Sequence, residues 1–346
     1  MRVTLLCGGL GGARLAPHLI GRHRHRLTVV CNVADDLVWM GLHVSPDVDA
    51  VLYALAGHFD GDRGYGVRGD TGSFMSLAAR SGLESWFWIG DRDLQTHVLR
   101  TSMLREGRPL SAATHALRNG LGVDAVVLPA TDDEVRTRVG VDGRDLDFQT
   151  FYVREGAMLL PSQVHWEGID AAKPAPGVLG ALEGADLVVL AESSPVASLL
   201  PVLGLAGVRE ALRATAAVKV ALSPVVAGLP PMHPVDRHHW RSREHLMLGL
   251  GLRHDPLSVV TLYRDLVDAF VIDGRDAAFG PAIAELGMRC CTTDLLDRSM
   301  EGRARVVELL EQLARRQERP RAAARQSARS SREVPSQKDQ VALGGS

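Results

Sequence analysis

The first twenty residues narrow most what this chain can fold into. A short apolar run, RVTLLC at residues 2–7, stops at Gly8-Gly9-Leu10-Gly11-Gly12, and a helical pattern of Ala13, Leu15, Ala16, Leu19 and Ile20 follows. Strand, glycine turn and helix in that order open a parallel α/β unit. Residues 27–31 (LTVVC) read as the second strand and complete a first βαβ unit.

The same logic extends along the chain. Runs at 124–128, 186–191, 217–222, 268–272 and 287–291 read as strands, and 93–105, 110–120, 206–215 and 298–316 as helices. Several strand runs are continuously apolar, as expected for strands buried on both faces of a parallel sheet. Residues 144–153 alternate instead, which predicts an antiparallel insertion with 157–160. The predicted fold is α/β: a Rossmann-like open, mostly parallel sheet with helices on both faces and a small antiparallel insertion. One domain is expected over 1–314, with the insertion at about 140–165, followed by a disordered Arg/Ser-rich tail over 315–346.

Composition removes several function classes. The total of 39 basic and 41 acidic residues conceals an uneven split, because residues 1–314 hold 31 basic against 38 acidic. An acidic body argues against nucleic-acid binding, which needs a basic face. Only Lys173, Lys219 and Lys338 are lysines, so any phosphate handled here must be met by arginine, backbone N–H groups or a metal. Cys7, Cys31, Cys290 and Cys291 lack metal spacing and read as reduced, buried thiols. No apolar run reaches the roughly 18–20 residues of a membrane span, and the N-terminal run is too short and too glycine-rich for a signal peptide. The expectation is a cytoplasmic protein without membrane partners.

Four segments carry candidate chemistry. Gly8, Gly9, Gly11 and Gly12 permit positive φ and close backbone approach, and a helix starting near Gly12 would aim its positive end at an anion such as phosphate. The spacing is neither GxGxxG nor GxxxxGK[ST], which argues against a hydride-transfer dinucleotide fold and a P-loop nucleotidase. A ligand-free tight turn has the same composition. Asn32, Asp35 and Asp36 follow the second strand, and Asp47 and Asp49 come shortly after. Carboxylates over a phosphate-binding crevice call for a divalent cation between them. Ser45, Asp47 and Asp49 are also residue types that cap a helix at 50–57. In GDRDLQTHVLRT (90–101), which follows a strand-like WFWI, Asp91 and Asp93 can cap, and Arg92 and Arg100 can grip a phosphate or carboxylate; the segment also reads as an ion-paired surface helix. Ser193 and Ser194, after the strand at 186–190, can face an anion or cap a helix. HPVDRHH (233–239) lacks metal-ligand spacing and reads as a Pro-rich loop.

Taken together and in order, these segments resemble the CofD/FbiA family, the 2-phospho-L-lactate transferases of deazaflavin coenzyme (factor 420) biosynthesis. The resemblance rests on GGLGGARL, CNVADDLVWMGLHVSPDVDAVLYALAG, GDTGSFMSLAARSGLESWFWIGDRDLQTHVLRTSMLREGRPLS, LDFQTFYV and SPVASLLPVLGLAGVREAL, and spans roughly residues 1–310. It implies Mg²⁺-dependent transfer of a phospho-three-carbon acid, phosphoenolpyruvyl or 2-phospholactyl, from a guanosine diphosphate-activated donor. The acceptor would be the ribityl hydroxyl of a 5-deazariboflavin, with GMP released. On this resemblance Gly8, Gly9, Gly11 and Gly12 approach the diphosphate, and Asp35 and Asp49, then Asp36 and Asp47, hold the metal. Asn32, Asp91, Arg92, His97 and Arg100 line the acceptor and transfer region, and a homodimer is expected.

The chain departs from the family where the donor should lie. Glu192-Ser193-Ser194-Pro195 stands for PSNP, SPVVAGLPPMHPVDRHH lacks the basic Lys-Gly-Pro turn, and the late Thr-Met signature becomes CTTDLLDRSM. Two other readings follow. One is a paralogue using a different activated acid or acceptor. The other is a non-catalytic nucleotide-binding regulator like the YvcK-like proteins, which lack GDRDLxTHxxRT.

Overall fold

The computed structural model describes residues 1–21, 25–227 and 230–330, with side chains described as far as residue 315. Residues 331–346, where half of the expected disordered tail falls, lie outside the described residues.

The chain opens with β1 (Arg2–Cys7), α1 (Gly9–Gly21) and β2 (Arg26–Cys31), the unit anticipated from the glycine turn. A short hairpin, β3 (Leu37–Trp39) and β4 (Leu42–Val44), leads into α2 (Pro46–Leu55), α3 (Ser73–Arg80), α4 (Asp93–Arg105), α5 (Leu110–Gly120) and β5 (Val126–Pro129). An antiparallel insertion of β6 (Arg136–Val141), β7 (Arg144–Asp147) and β8 (Gln163–Glu167) follows. The chain returns through α6 (Val178–Glu183) to β9 (Leu187–Leu190), α7 (Leu200–Gly204), α8 (Val208–Ala214) and β10 (Val218–Leu222). It then runs through α9 (Pro234–Gly249), α10 (Pro256–Leu262), β11 (Ala269–Asp273), α11 (Gly280–Glu285), β12 (Arg289–Thr293) and α12 (Met300–Ser330).

Seven strands form one sheet in the order β12-β11-β10-β9-β1-β2-β5, with every neighbouring pair parallel. Alternation across the pleat sends Val3, Leu5 and Cys7 of β1 into a core shared with Leu15 and Leu19, while Leu6 enters the core on the opposite face with Val188 and Leu190. Two-sided burial is why these strands read as unbroken apolar runs. The chain lays down β1, β2 and β5 in one direction, then starts again at β9 on the other side of β1. Order therefore reverses between β1 and β9, and an open parallel sheet forms its ligand crevice beyond the carboxyl ends of strands at such a point.

Three local expectations are corrected. Residues 144–153 do not form one strand, because Asp147 accepts hydrogen bonds from the backbone N–H (2.9 Å) and hydroxyl (2.7 Å) of Thr150 and turns Thr150–Arg154 into a helical turn. The insertion instead pairs 136–141 with 144–147 and 163–167, and 157–160 is not a strand. WFWI (86–89) is not a strand either. Its aromatics pack under the β3–β4 hairpin, with Trp39 and Trp86 ring centroids 4.7 Å apart. Residues 234–239 belong to α9, opened by Pro234 in its first turn, and not to a loop.

The four cysteines are free thiols, but Cys290 and Cys291 are half-buried. Among the described residues no single helix is long and apolar enough to cross a membrane; the apolar segments Pro195–Gly204 and Val208–Ala214 meet at 82°.

Candidate functional site

At the reversal point the Gly8 amide donates to Ser193 Oγ at 3.0 Å, tying the end of β1 to the residues after β9. Helix α1 begins at Gly9, three residues earlier than the sequence suggested, so the glycines form its first turn. None of Gly8, Gly9, Gly11 and Gly12 has a positive φ. What they supply is clearance. A Cβ on Gly8 would lie 2.1 Å from Ser198 Oγ, and one on Gly11 would lie 2.9 Å from the Glu192 carbonyl. Asp47 sits directly over the turn, its Oδ1 2.7 Å from where a Gly9 Cβ would be.

The turn forms the floor of an 820 Å³ cavity. On one side stands an acidic wall. Ser45 precedes α2 but makes no capping bond; its hydroxyl donates to Asp36 Oδ2 at 2.6 Å, and His43 Nε2 meets the same oxygen at 2.9 Å. Asp36 Oδ1 is buried with no hydrogen-bond partner. Asp47 and Asp49, in the first turn of α2, are both buried. Asn32 Nδ2 donates to Asp47 Oδ2 at 2.9 Å, and Arg100 forms a fully buried forked pair with Asp49, Nη1 to Oδ2 at 3.1 Å and Nη2 to Oδ1. His97 bridges two carboxylates, 3.2 Å from Asp93 Oδ2 and 3.7 Å from Asp49 Oδ2, while Tyr53 donates to Asp93 Oδ1 at 2.6 Å.

Electrostatics separates these carboxylates. Burial, reinforced by the charges of Asp47 and Asp36, pushes the Asp35 carboxyl well above its ordinary range. Burial also lifts Asp47 to about 6, against the pull of hydrogen bonds from Asn32 and the Gly9 amide. Asp49 is raised by burial although Arg100 opposes it. Burial works to raise Asp93 as well, but the bonds from His97 and Tyr53 outweigh it and hold Asp93 low.

The facing wall is basic and aromatic. Arg14 of α1 donates to Asp236 Oδ1 of α9 at 2.8 Å, Arg298 holds Asp236 Oδ2, and Arg303 of α12 donates to Glu192 at 2.6 Å. Arg243, also on α9, lines the same cavity. Beside it the Tyr152 hydroxyl meets His239 Nδ1 at 2.9 Å, and the Tyr152 ring stacks on Phe148 with centroids 5.3 Å apart and planes 9° from parallel. Burial, then the neighbouring Arg243, pushes His239 down to about 3, leaving it neutral. Such a cavity can hold a divalent cation against one wall, oxyanions against the other, and a flat ring on its aromatic shelf.

The sequence-derived candidates divide into two groups. Gly8, Gly9, Gly11, Asp35, Asp47, Asp49, His97, Ser193 and Ser194 line the cavity. Ser194 also caps the helical turn at Pro195–Leu199, accepting from Ala197 N at 3.2 Å. Gly12, Asn32, Asp36 and Arg100 stand behind that lining and brace it; a Cβ on Gly12 would lie 2.4 Å from Cys7 Sγ. Asp91 accepts from Ser73 N (3.0 Å) and Phe74 N (2.9 Å) at the start of α3, and Arg92 points into solvent. Sequence reasoning missed Arg14, Tyr53, Tyr152, His239, Arg243, Arg298 and Arg303. HH inside HPVDRHH was noticed but assigned to a loop, and Arg14 lies within the glycine-turn helix. The remaining arginines carry no local signal.

Comparison with known proteins gives the family. The profile of the family described as 2-phospho-L-lactate transferase CofD matches residues 3–280. A phosphoenolpyruvate transferase of Mycobacterium sp. (strain KMS) is 41% identical over 251 residues, covering 66% of this chain and 76% of that protein. One from Kitasatospora aureofaciens is 34% identical over 312 residues, covering 88% and 95%. Among solved structures, a Bacillus halodurans protein of the UPF0052 family shares the fold with a TM-score of 0.57 at 17% identity, over 89% of this chain and 98% of that one.

Proposed function

The chain belongs to the CofD family of 2-phospho-L-lactate transferases, and from that premise we propose that it transfers a phospho-three-carbon acid, phosphoenolpyruvyl in the first instance, from a guanosine diphosphate-activated donor to the ribityl hydroxyl of a 5-deazariboflavin, releasing GMP. The observation that carries this reading is one cavity, at the reversal point of the sheet, with a glycine turn as floor, carboxylates on one wall and arginines on the other. Displacement at phosphorus asks a protein chiefly to position and to balance charge, and this arrangement does both.

The residues fit Mg²⁺. Asp35 and Asp47 line the cavity with no cationic side chain within ion-pair distance among the described residues, and burial with the charges of Asp47 and Asp36 raises Asp35. Hard oxygen donors of this kind suit Mg²⁺, which uses one or two carboxylates and completes its shell with phosphate oxygens and water. Among the described residues no three His, Cys, Asp or Glu side chains form a ready-made cage, so phosphate oxygens and water would have to complete the shell. Asp35 and Asp47 would hold it, because Asp49 is already neutralised by Arg100. Bound there, the metal supplies positive charge to the phosphate oxygens. Asn32 fixes Asp47 and Thr137 reaches Asp35, while Tyr152 and Phe148 offer a face to the flat acceptor.

Purified protein incubated with Mg²⁺, the deazaflavin and the guanosine-activated donor is expected to release GMP and shift the acceptor mass. Turnover with only a different nucleotide donor would favour a paralogous specificity. Binding without turnover under every condition would favour a regulator and overturn the enzyme reading. Asp35→Asn is expected to cut transfer by about 10³-fold, roughly 4 kcal/mol of transition-state stabilisation, with an unchanged or higher melting temperature. Retained activity in that variant would refute the metal assignment.

A further inference from the structure

Five arginines line the cavity: Arg14, Arg63, Arg243, Arg298 and Arg303. Four have an acid within reach: Arg14 and Arg298 on Asp236, Arg303 on Glu192, and Arg63 at 3.9 Å from Asp60. Arg243 has none among the described residues. Its Nη1 donates to the Pro224 carbonyl at 2.5 Å, and its Nε is buried and bonds to nothing. The edge formed by Nε and Nη2 therefore has no protein acceptor among the described residues, and this side-on edge of the guanidinium is the planar fork that matches a carboxylate.

The surroundings supply further donors, and the two acids whose charge reaches Arg243, Glu192 and Asp236, are already held by Arg303 and by Arg14 and Arg298. Trp240, one turn earlier on the same face of α9, also lines the cavity with its indole N–H buried and unpartnered. Tyr263 is fully buried, with its hydroxyl unpaired. Burial followed by the charge of Arg243 pushes both His239 and His254 down to about 3, so neither contributes a charge. Burial lowers Arg243 itself to about 10, which still leaves it cationic at neutral pH. A half-buried guanidinium whose buried Nε bonds to nothing is costly to fold around, so its lasting partner is one that arrives with a ligand.

We propose that Arg243, with the Trp240 indole N–H beside it, is the subsite for the carboxylate of the transferred three-carbon acid. This inference rests on the functional reading above and adds to it the group that distinguishes the acid-bearing donor from the bare nucleotide. It also gives a reason why the stretch 223–239 can do without lysine: a cation is carried further along α9, the helix that this stretch opens.

The test reads binding and not turnover, so it stands apart from the failure of the transferase reading. Affinities for the guanosine diphosphate-activated acid and for GDP, which lacks the carboxylate, are measured by calorimetry in wild type, Arg243→Gln and Arg243→Lys. Arg243→Gln is expected to weaken the activated acid by about 100-fold while GDP stays within about threefold and the melting temperature does not fall. Arg243→Lys, which keeps the charge and loses the fork, is expected to recover only part of the loss. Unchanged affinity for the activated acid overturns the proposal. Parallel loss of GDP also overturns it, by assigning Arg243 to a phosphate. A lowered melting temperature with both ligands weakened would show a structural role instead. Absence of turnover by wild type, with the binding pattern intact, would sink the transferase reading and leave the subsite standing.

Discussion

The carboxylates gathered around α2 and the arginines gathered around α9 face each other across one cavity, and they are held in different ways. The acidic wall is local. Asp35, Asp36, Asp47 and Asp49 fall within fifteen consecutive residues, and Asn32, His43 and Ser45 brace them from close by in sequence, while Arg100 of α4 and Thr137 of β6 reach in to Asp49 and Asp35. The basic wall is assembled from afar: α1 gives Arg14, α9 gives Asp236 and Arg243, and the chain around the start of α12 gives Arg298 and Arg303. Charge balance differs as well. Among the described residues Asp35 and Asp47 on the first wall have no cationic side chain within ion-pair distance, and on the second Arg243 has no acid that close. Each wall therefore couples binding to stability, the first through the buried Arg100–Asp49 pair and the second through the contacts that join α1, α9 and the start of α12.

The largest expected effect breaks the acidic wall at its buried Arg100–Asp49 pair. Arg100→Met leaves Asp49 buried without its counter-charge and is expected to cost about 3–5 kcal/mol, read from the denaturant midpoint. Pairing it with Asp49→Asn should return much of that loss. If Arg100→Met costs less than 1 kcal/mol, the forked pair does not hold this wall.

Next comes the pH dependence of the same wall. Asp47 binds its proton more tightly in the folded state, at about 6 against an ordinary 3.8. Between those values the folded protein holds protons that the unfolded chain has released, so stability falls as pH rises from about 4 to about 6. The expected loss is roughly 3 kcal/mol for Asp47, and Asp35 acts in the same direction. Asp47→Asn should flatten the slope in chelator-treated protein, and an unchanged slope would contradict the environment described for Asp47.

The smallest effect tests the basic wall. Asp236→Asn removes the shared acceptor of Arg14 and Arg298, and is expected to cost about 1.5 kcal/mol by thermal unfolding while weakening donor binding. A neutral result would mean that α9 is seated by packing alone.

This contrast between local and distant assembly also explains what the sequence disclosed. All seven sheet strands and the glycine turn were legible: two-sided burial leaves continuous apolar runs in β1, β9, β10 and β11, the edge strands β5 and β12 are more exposed, and the turn needs clearance that only glycine gives. The acid wall was legible through its density. Helix α9 was not: Pro230, Pro231 and Pro234 resemble a loop until Pro234 is seen as a first-turn residue that needs no N–H partner. WFWI has the composition of a strand, but its aromatics find their partners in Trp39 and the hairpin, not in a neighbouring strand. In GDRDLQTHVLRT the residue types gave no means of separating Asp93 and His97, which face the cavity, from Asp91, which closes a helix, or Arg92, which faces solvent.

Asp91 has a counterpart. While Asp91 closes the start of α3, Asp70 accepts from Arg92 N at 2.8 Å and Asp93 N at 2.9 Å at the start of α4, so each helix is fastened by a carboxylate lying next to the other. Gly90 is required at this exchange, since a Cβ there would lie 2.0 Å from Asp70 Oδ2. The consequence is kinetic: neither helix start can fray without releasing the other. The amide protons of Ser73, Phe74, Arg92 and Asp93 should therefore exchange with solvent deuterium at one common rate, as a single opening unit, although eighteen residues separate Phe74 from Arg92.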